Sequence, residues 1–204
     1  MKIWRSLPSQ LARENKKFLY KVVKEGAREY EDALNWLVNA ALVTKVYRIK
    51  APGLPLFAYE DLSAFKLYLV DVGLLRRLSR LNPTVFREGN PLFSEFKGAL
   101  TENFVLQSLV PRLDIAPSYW ARLNPSYEVD FVVQWKNEII PIEVKADMNI
   151  KSRSLKQYAS LFADKTKLRV RFSLANLCFN EGVLNIPLFM ADQAGRLFDL
   201  AYER

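Results

Sequence analysis

The sequence contains no histidine and one cysteine among its 204 residues. Without histidine, Ser–His and Cys–His catalysis and most zinc sites are excluded. The lone Cys178 cannot form a disulfide within the chain, which fits a reducing compartment, and its apolar neighbours predict a buried thiol. Any chemistry must therefore come from carboxylates, lysines, hydroxyls or a metal ion held by oxygen ligands.

Long apolar runs are also absent. No stretch approaches the roughly 18–20 apolar residues that a membrane span needs, and the N-terminus lacks the charged and apolar regions of a secretory signal. We therefore expect a cytoplasmic protein with no membrane contact. Apolar residues make up 50% of the chain and aromatic residues 13%, so a packed core is expected and disorder is not.

Negative charge is in deficit, since 30 Lys and Arg oppose 22 Asp and Glu for a net charge of +8. A positive excess favours an anionic partner, and DNA is the partner that we expect. A merely soluble basic protein would carry the same excess.

The first half of the chain reads as two helices followed by a β-ribbon. "LPSQLARENKKF" predicts a helix that starts near Pro8, and "GAREYEDALNWLVNAALV" has apolar residues at steps of three and four. "TKVYRIK" alternates, "APGLP" predicts a turn and "LFAY" a second extended segment. This order predicts a winged-helix-like domain over residues 1–85. Eight Lys and Arg in residues 1–30 suit DNA phosphates, but a protein contact or a spacer role stays open.

The second half alternates between helix and strand patterns. After a loop rich in Pro, Gly and Asn, which places the domain boundary near residues 82–92, the predicted order is α-β-β-β-α-β-β. The last helix of this order is "SRSLKQYASLFA", and "VLNIPLFM" is the final extended run. We expect an α/β domain over residues 90–204, with a mixed central sheet flanked by helices.

Within it, "NPSYEVDFVVQWKNEIIPIEVKAD" predicts a β-hairpin. If Lys136 and Asn137 form a two-residue turn, paired residue numbers add to a constant, and Asp130 falls opposite Glu143. Their Cβ atoms would then lie roughly 5 Å apart. Like charges in that position are destabilising, which indicates that something positive is held between them.

A hard divalent cation meets that need. Mg²⁺ or Mn²⁺ prefers oxygen ligands, and one or two carboxylates with waters are usual for Mg²⁺. Lys145 would lie about 7 Å along the same strand on the same face, where it could orient a water or neutralise a phosphate. Glu102, in the apolar stripe of the preceding helix, is a third candidate acid, because a carboxylate there is costly unless it is paired or metal-bound.

Structural alternatives exist for each of these residues. Lys145 could form a cross-strand ion pair with Glu128, and Asp130 could pair with Arg122. From Lys151 to Arg171, seven Lys and Arg face a single acidic residue, Asp164. This excess predicts a nucleic-acid-binding surface at Lys151, Arg153 and Lys156. Its last part equally suits the solvated face of an alternating strand.

With these residues in place, a family resemblance emerges. "EVD", 12 intervening residues and "EVK", with a helical Glu upstream, resemble the PD-(D/E)xK restriction-endonuclease-like fold. Over nearly its full length the chain resembles the C-terminal half of a family of prokaryotic AAA-type ATPases. In that family a P-loop ATPase precedes a winged helix and a PD-(D/E)xK-like domain. "LPSQLARENKKF", "FKLYLVDVGLL" and "KGALTENFV" carry this wider likeness.

The resemblance implies roles by position. Asp130 and Glu143 would be metal ligands, with the Val144 carbonyl as a third, Lys145 the catalytic lysine and Glu102 the helical acid. It implies Mg²⁺- or Mn²⁺-dependent phosphodiester hydrolysis. Many domains of this fold bind without cutting, so an inactive nucleic-acid-binding or protein-interaction module is the alternative.

Two further points follow from the resemblance. Gln157 or Lys156, on the helix after the hairpin, would match a polar residue that some members of the fold use near the scissile phosphate. The sequence departs from the PD-(D/E)xK motif at Val129, which precedes Asp130 where the motif has proline. None of the seven glycines is followed by lysine, so a Walker A motif is absent and ATP would bind only in a preceding ATPase part. The chain is therefore either a fragment or a degenerate relative of that family. We expect a fragment, whose parent ATPase self-associates or contacts a protein partner.

Overall fold

A computed structural model describes residues 2–11, 27–86, 94–113, 116–123, 126–148 and 151–203. Its residues divide into two compact units, Met1–Val46 with Ala64–Gln107, and Tyr47–Ser63 with Ser108–Arg204. No helix among the described residues is both long and apolar enough to cross a membrane. Most of the basic residues of 1–30, and residues 87–93 near the expected boundary, lie outside the described residues.

The first unit contains helices and the ends of two strands. Its elements are α1 (Lys2–Leu11), α2 (Ala27–Asn39), the first part of β1 (Val43–Ile49), the last part of β2 (Glu60–Leu69), α3 (Val72–Leu78) and most of α4 (Ser94–Leu113). Leu34 and Leu37 of α2 are buried, as the helical spacing predicts. Helix α3 begins after Asp71, whose carboxylate accepts the Leu74 amide at 2.7 Å and so caps the helix.

The second unit is built on a mixed sheet. Residues 47–49 of β1 and 60–63 of β2 contribute to it. Its other elements are β3 (Ser118–Leu123), β4 (Ser126–Trp135), β5 (Glu138–Val144), α5 (Arg153–Leu161), β6 (Arg169–Ser173), β7 (Cys178–Asn180), β8 (Val183–Pro187) and α6 (Ala194–Tyr202). The eight strands run in the order β2-β1-β3-β4-β5-β6-β8-β7.

The sheet contains both antiparallel and parallel strand pairs. Strands β3, β4 and β5 form an antiparallel meander. Strands β5, β6 and β8 are parallel neighbours, and α5 lies in the crossover between β5 and β6. The α/β class and the mixed sheet are therefore confirmed, whereas the winged-helix and nuclease-like assignments and the predicted domain limits stay predictions.

Helix α5 covers one face of the sheet. Its Leu155 and Tyr158 are buried, as the spacing predicts, and belong to one cluster with residues of four strands. Trp120 of β3 meets Tyr158 edge to face at a centroid distance of 5.3 Å. On α6, Phe198 packs against Trp135 at 6.0 Å.

Several local predictions are wrong. Pro8 lies inside α1 rather than at its start, and α4 continues past Pro111 to Leu113. "LFAY" is a 3-10 helix, Leu56–Tyr59, with Leu56 buried against the second unit's sheet, rather than a strand. The extended run after Val183 ends at Pro187, and a 3-10 helix, Leu188–Gln193, follows it and leads into α6.

Burial on β6 and β7 also differs from the prediction. Arg171, expected on a solvated strand face, is 7% exposed, because this strand runs between two parallel neighbours in the middle of the sheet. Leu174, expected inside, follows the last residue of β6 and is 50% exposed. Cys178 lies on the edge strand β7 and is exposed rather than buried.

Candidate functional site

The predicted turn positions the two strands that carry the candidate site. Lys136 and Asn137 form it, and Lys136 has a φ of 55°. The pairs run from Trp135 with Glu138 to Phe131 with Ile142. All of these numbers add to the predicted sum, so the register is confirmed over this stretch. The expected pairing of Asp130 with Glu143 would be the next step and stays a prediction.

Asp130 lies at an irregularity in β4. Ser118 pairs with Val132 but Trp120 pairs with Val129, so β4 has one residue more than β3 over this interval. Such a bulge redirects side chains, and bulges are common beside active sites. The carboxylate of Asp130 accepts the backbone amide of Val144 at 2.8 Å. Asp130 is thereby held against the strand segment that carries Glu143 and Lys145.

Glu143 and Lys145 are in direct contact, as their shared strand face predicts. Lys145 Nζ lies 2.9 Å from Glu143 Oε1. Burial lowers the pKa of the Lys145 ammonium, but the hydrogen bond and charge of Glu143, with the charges of Asp130 and Asp147, outweigh it and raise the pKa. This ion pair favours Glu143 over Glu128 as the partner of Lys145. The structure thus brings Asp130, Glu143 and Lys145 together.

The other carboxylate oxygen of Glu143 is the notable atom of the site. Glu143 is 5% exposed, and Oε2 is buried with no hydrogen-bond partner among the described residues. A buried carboxylate oxygen without a partner is costly, since carboxylates normally accept several hydrogen bonds or bind a metal. If this site binds a cation, Oε2 of Glu143 is the oxygen atom that we expect to coordinate it.

A polar network that the sequence reading missed begins next to Glu143. Arg171 is its register partner on β6. Arg171 Nε donates to Asn185 Oδ1 at 2.9 Å, and Nη1 donates to Ser152 Oγ at 3.2 Å. Ser173 donates to the same Asn185 oxygen at 2.8 Å. All four of these residues are buried, so the network holds the guanidinium in one place.

The buried position of Arg171 also affects the pKa of its guanidinium. Burial lowers the pKa of its guanidinium, and the charges of Cys178 and Glu143 act in the opposite direction. No local signal in the sequence pointed to Arg171. Its place beside Glu143 depends on the pairing of β6 with β5, which the alternating pattern of β6 does not reveal.

Glu102 of α4 is buried as predicted, at 7% exposed, and it contacts a tyrosine of strand β2. The hydroxyl of Tyr68 donates to Glu102 Oε2 at 3.0 Å. Both residues belong to the first unit, whereas Asp130, Glu143 and Lys145 belong to the second. A joint role of Glu102 with these residues stays a prediction.

The predicted nucleic-acid residues lie at the start of α5. Lys151, Arg153 and Lys156 are exposed, and Gln157 is half-buried on the same helix. Later members of the basic stretch are engaged within the protein. Lys165 donates to the Pro52 carbonyl at 3.0 Å, Lys167 pairs with Glu138 at 2.6 Å, and Arg169 donates to the Glu181 carbonyl. Lys151, Arg153 and Lys156 therefore give exposed positive charge near the start of α5, where Ser152 also accepts a hydrogen bond from Arg171.

The residues present suit a hard cation in part. Among the described residues no group of three or more His, Cys, Asp or Glu is arranged to hold a metal. Glu143 supplies the carboxylate oxygen Oε2, which has no hydrogen-bond partner among the described residues, and Asp130 supplies a second carboxylate that is bonded to the Val144 amide. Mg²⁺ commonly binds through one or two carboxylates and completes its shell with water and substrate oxygens, so the donor types are those that Mg²⁺ or Mn²⁺ uses.

Comparison with known families agrees with part of the expected relationship. Residues 97–189 match a domain of unknown function, DUF4143, which is found in AAA-ATPase-associated proteins. Residues 1–85 match a second domain of unknown function, DUF8612. Neither description gives an activity. The match over residues 97–189 suggests an AAA-ATPase-associated protein.

One solved structure shows a distant likeness. It is a refined half-complex from a tetradecameric assembly of Thermococcus gammatolerans McrB AAA+ hexamers with bound McrC, and the alignment covers 97% of this chain and 76% of the other. The sequence identity is 14% and the TM-score 0.34, values at which no shared property is inferred. No curated protein matches the chain.

Proposed function

We propose that residues 108–204 carry a metal-dependent, nuclease-like centre of an AAA-ATPase-associated protein, with DNA as its substrate. Asp130 and Glu143 would hold Mg²⁺ or Mn²⁺, and Lys145 would act beside them. One observation carries the proposal. The buried Oε2 of Glu143 has no hydrogen-bond partner among the described residues, although Oε1 of the same carboxylate contacts Lys145.

A divalent ion bound there would polarise a phosphoryl oxygen and lower the pKa of a bound water. The chain's own groups would do the rest. Lys145 has an ammonium group that can orient the attacking water or offset negative charge on the phosphate. Arg171, the register partner of Glu143, would offset the negative charge of that buried carboxylate. The exposed Lys151, Arg153 and Lys156 would hold the DNA backbone near the site.

A binding module without cleavage is the second candidate, and a specific observation favours it. Lys145 and Arg171 both lie beside Glu143, so two side-chain cations already offset one buried carboxylate. In that case the fold would bind DNA or a protein partner of the ATPase with no need of a metal.

Calorimetric titration of Mn²⁺ separates the two candidates. The wild type should bind Mn²⁺, and Asp130→Asn should not, although asparagine keeps an oxygen for the Val144 amide and so preserves the fold. Asp164→Asn, which alters an exposed acid beyond α5, is the matched control and should bind like the wild type. Each protein is then incubated with plasmid and single-stranded DNA in the presence of Mg²⁺ or Mn²⁺.

The results divide cleanly. Mn²⁺ binding that requires Asp130, with DNA cleavage that also requires it, supports the nuclease proposal. Absence of Mn²⁺ binding by the wild type rejects it. Salt-sensitive DNA binding without metal or cleavage would then favour the binding module.

A further inference from the structure

Two cavities in the first unit share a wall. One, of about 820 Å³, is lined by Trp4, Arg5, Arg77, Leu78 and Arg80. The other, of about 390 Å³, is lined mostly by apolar side chains of α1 and α2, and Trp4 and Arg5 also belong to it. The end of α1 that carries Trp4 therefore separates an arginine-rich cavity from an apolar one.

The arginine-rich cavity has positive charge with no acidic counterpart in the part of the chain that the structure describes. Arg5, Arg77 and Arg80 are all exposed. Among the described residues none of the three makes a side-chain hydrogen bond or ion pair, and no described acidic residue lines either cavity. Three guanidinium groups around one concave surface repel one another unless an anion is bound between them. This arrangement selects a ligand with several negative charges.

The apolar cavity adds an aromatic side chain. Trp36 lines it and is 65% exposed, so its ring adjoins concave apolar surface. Contiguous exposed apolar surface of this kind marks ligand-binding grooves. Proteins that bind single-stranded nucleic acid combine cationic side chains for the phosphates with aromatic rings on which bases stack. The two cavities together supply both features.

We propose that the surface formed by Trp4, Arg5, Trp36, Arg77 and Arg80 binds single-stranded nucleic acid. The arginines contact the phosphates, and Trp36 stacks on a base. The net charge of +8 has the sign that such a ligand requires. This site belongs to the first unit and is independent of the metal-dependent activity proposed for the second.

Fluorescence anisotropy with a labelled strand of about 20 nucleotides tests the proposal, in EDTA so that no metal contributes. The wild type should bind, with affinity falling as salt rises. Arg77→Gln with Arg80→Gln removes two phosphate contacts, so the slope of log K against log salt should decrease by about 1.4 and binding at low salt should weaken about tenfold or more. Arg76→Gln with Arg196→Gln is the matched control, since it removes the same charge from residues that line neither cavity.

Trp36→Ala tests the stacking contact separately. It should weaken binding of the single strand about fivefold or more while leaving the salt slope and duplex binding unchanged. Because Trp36 is exposed, its replacement should not disturb folding, and a thermal melt checks this.

Three results overturn the proposal. They are no binding by the wild type, equal losses in the two arginine pairs, and displacement of the strand by polyglutamate at equal charge concentration. The last would assign the surface to an acidic protein segment. An unchanged affinity in Trp36→Ala overturns the stacking contact.

Discussion

Glu143 and Arg171 are register partners on adjacent parallel strands, and both side chains are buried. The row continues across the sheet, since Arg171 pairs with Asn185 on β8 and Asn185 pairs with Cys178 on β7. Side chains of one row point to one face. The Glu143 carboxylate, the Arg171 guanidinium and the Asn185 amide therefore follow one another across three strands in the sheet interior. Of these groups, the Glu143 carboxylate is a predicted metal ligand.

Replacement of Arg171 by methionine should be strongly destabilising. It removes the Arg171 donors to Ser152 Oγ and to Asn185 Oδ1, which retains the Ser173 hydroxyl as a donor, and it removes the positive charge next to Glu143. We expect a loss of about 2–4 kcal/mol in the free energy of unfolding, measured by urea denaturation. Arg169→Met, on the same strand but half-exposed, should cost less than about 1 kcal/mol. Equal losses would show that the network contributes nothing specific.

Replacement of Lys145 by glutamine should affect metal binding and cleavage in opposite directions. The ammonium group lies 2.9 Å from Glu143 Oε1 and competes with a cation for that carboxylate. Its removal should tighten Mn²⁺ binding about fivefold, equivalent to roughly 1 kcal/mol for a charge pair in a solvent-like dielectric. The cleavage rate should fall if Lys145 assists the chemistry. Unchanged cleavage with tighter binding would limit Lys145 to a structural role.

Asn103 should be critical for the first unit. Its side chain is fully buried, accepts the Leu69 amide at 2.9 Å and donates to the Leu69 carbonyl at 3.0 Å. Asn103→Leu keeps the volume but leaves both backbone groups unpaired, so the free energy of unfolding should fall by about 2–4 kcal/mol. Thr101→Ala, on the same helix, serves as the control in the same urea titration. A loss below about 1 kcal/mol in Asn103→Leu would contradict this assignment.

Asp199 should contribute stability that depends on pH. The hydrogen bonds from Lys136 and from the Trp135 indole lower the pKa of its carboxyl group, with distances of 2.7 and 2.8 Å. A lowered pKa in the folded state gives stability that is present above the unfolded value of about 3.9 and is lost as pH falls through the folded value.

The measurement compares the urea midpoint of wild type and Asp199→Asn from neutral to acid pH. The difference between them should be constant above about pH 5 and vanish at the acid end. The indole N–H resonance of Trp135 should titrate with Asp199 in the wild type only. A difference that persists at the lowest pH would contradict the role of the charge.

The hairpin shows how far local patterns reach. The turn at Lys136-Asn137 and the alternation of both strands define the register from neighbouring residues alone. The structure agrees for the pairs from Trp135 with Glu138 to Phe131 with Ile142. The β4 bulge beside Asp130 could not be predicted, because it arises where β4 adapts to β3. Asp130, whose carboxylate accepts the Val144 amide, lies within the interval where this bulge occurs.

Burial that depends on distant strands was also beyond the sequence. Arg171 alternates with apolar residues as a surface residue would, and only the pairing of β6 between β5 and β8 places it inside. The segment "LFAY" has strand composition but forms a 3-10 helix, in which the Leu56 amide is bonded to the side chain of Gln134, 78 residues away. Interactions over such separations leave no local pattern.

The chain's lone thiol offers a practical use of the sheet order. Cys178 is exposed on the edge strand, in the same row as Asn185, Arg171 and Glu143. Three strand spacings separate it from Glu143, or about 14 Å. A nitroxide attached there without further mutagenesis would lie within range of the magnetic dipole of a Mn²⁺ ion held by Glu143, so its electron resonance signal would report the ion's arrival directly.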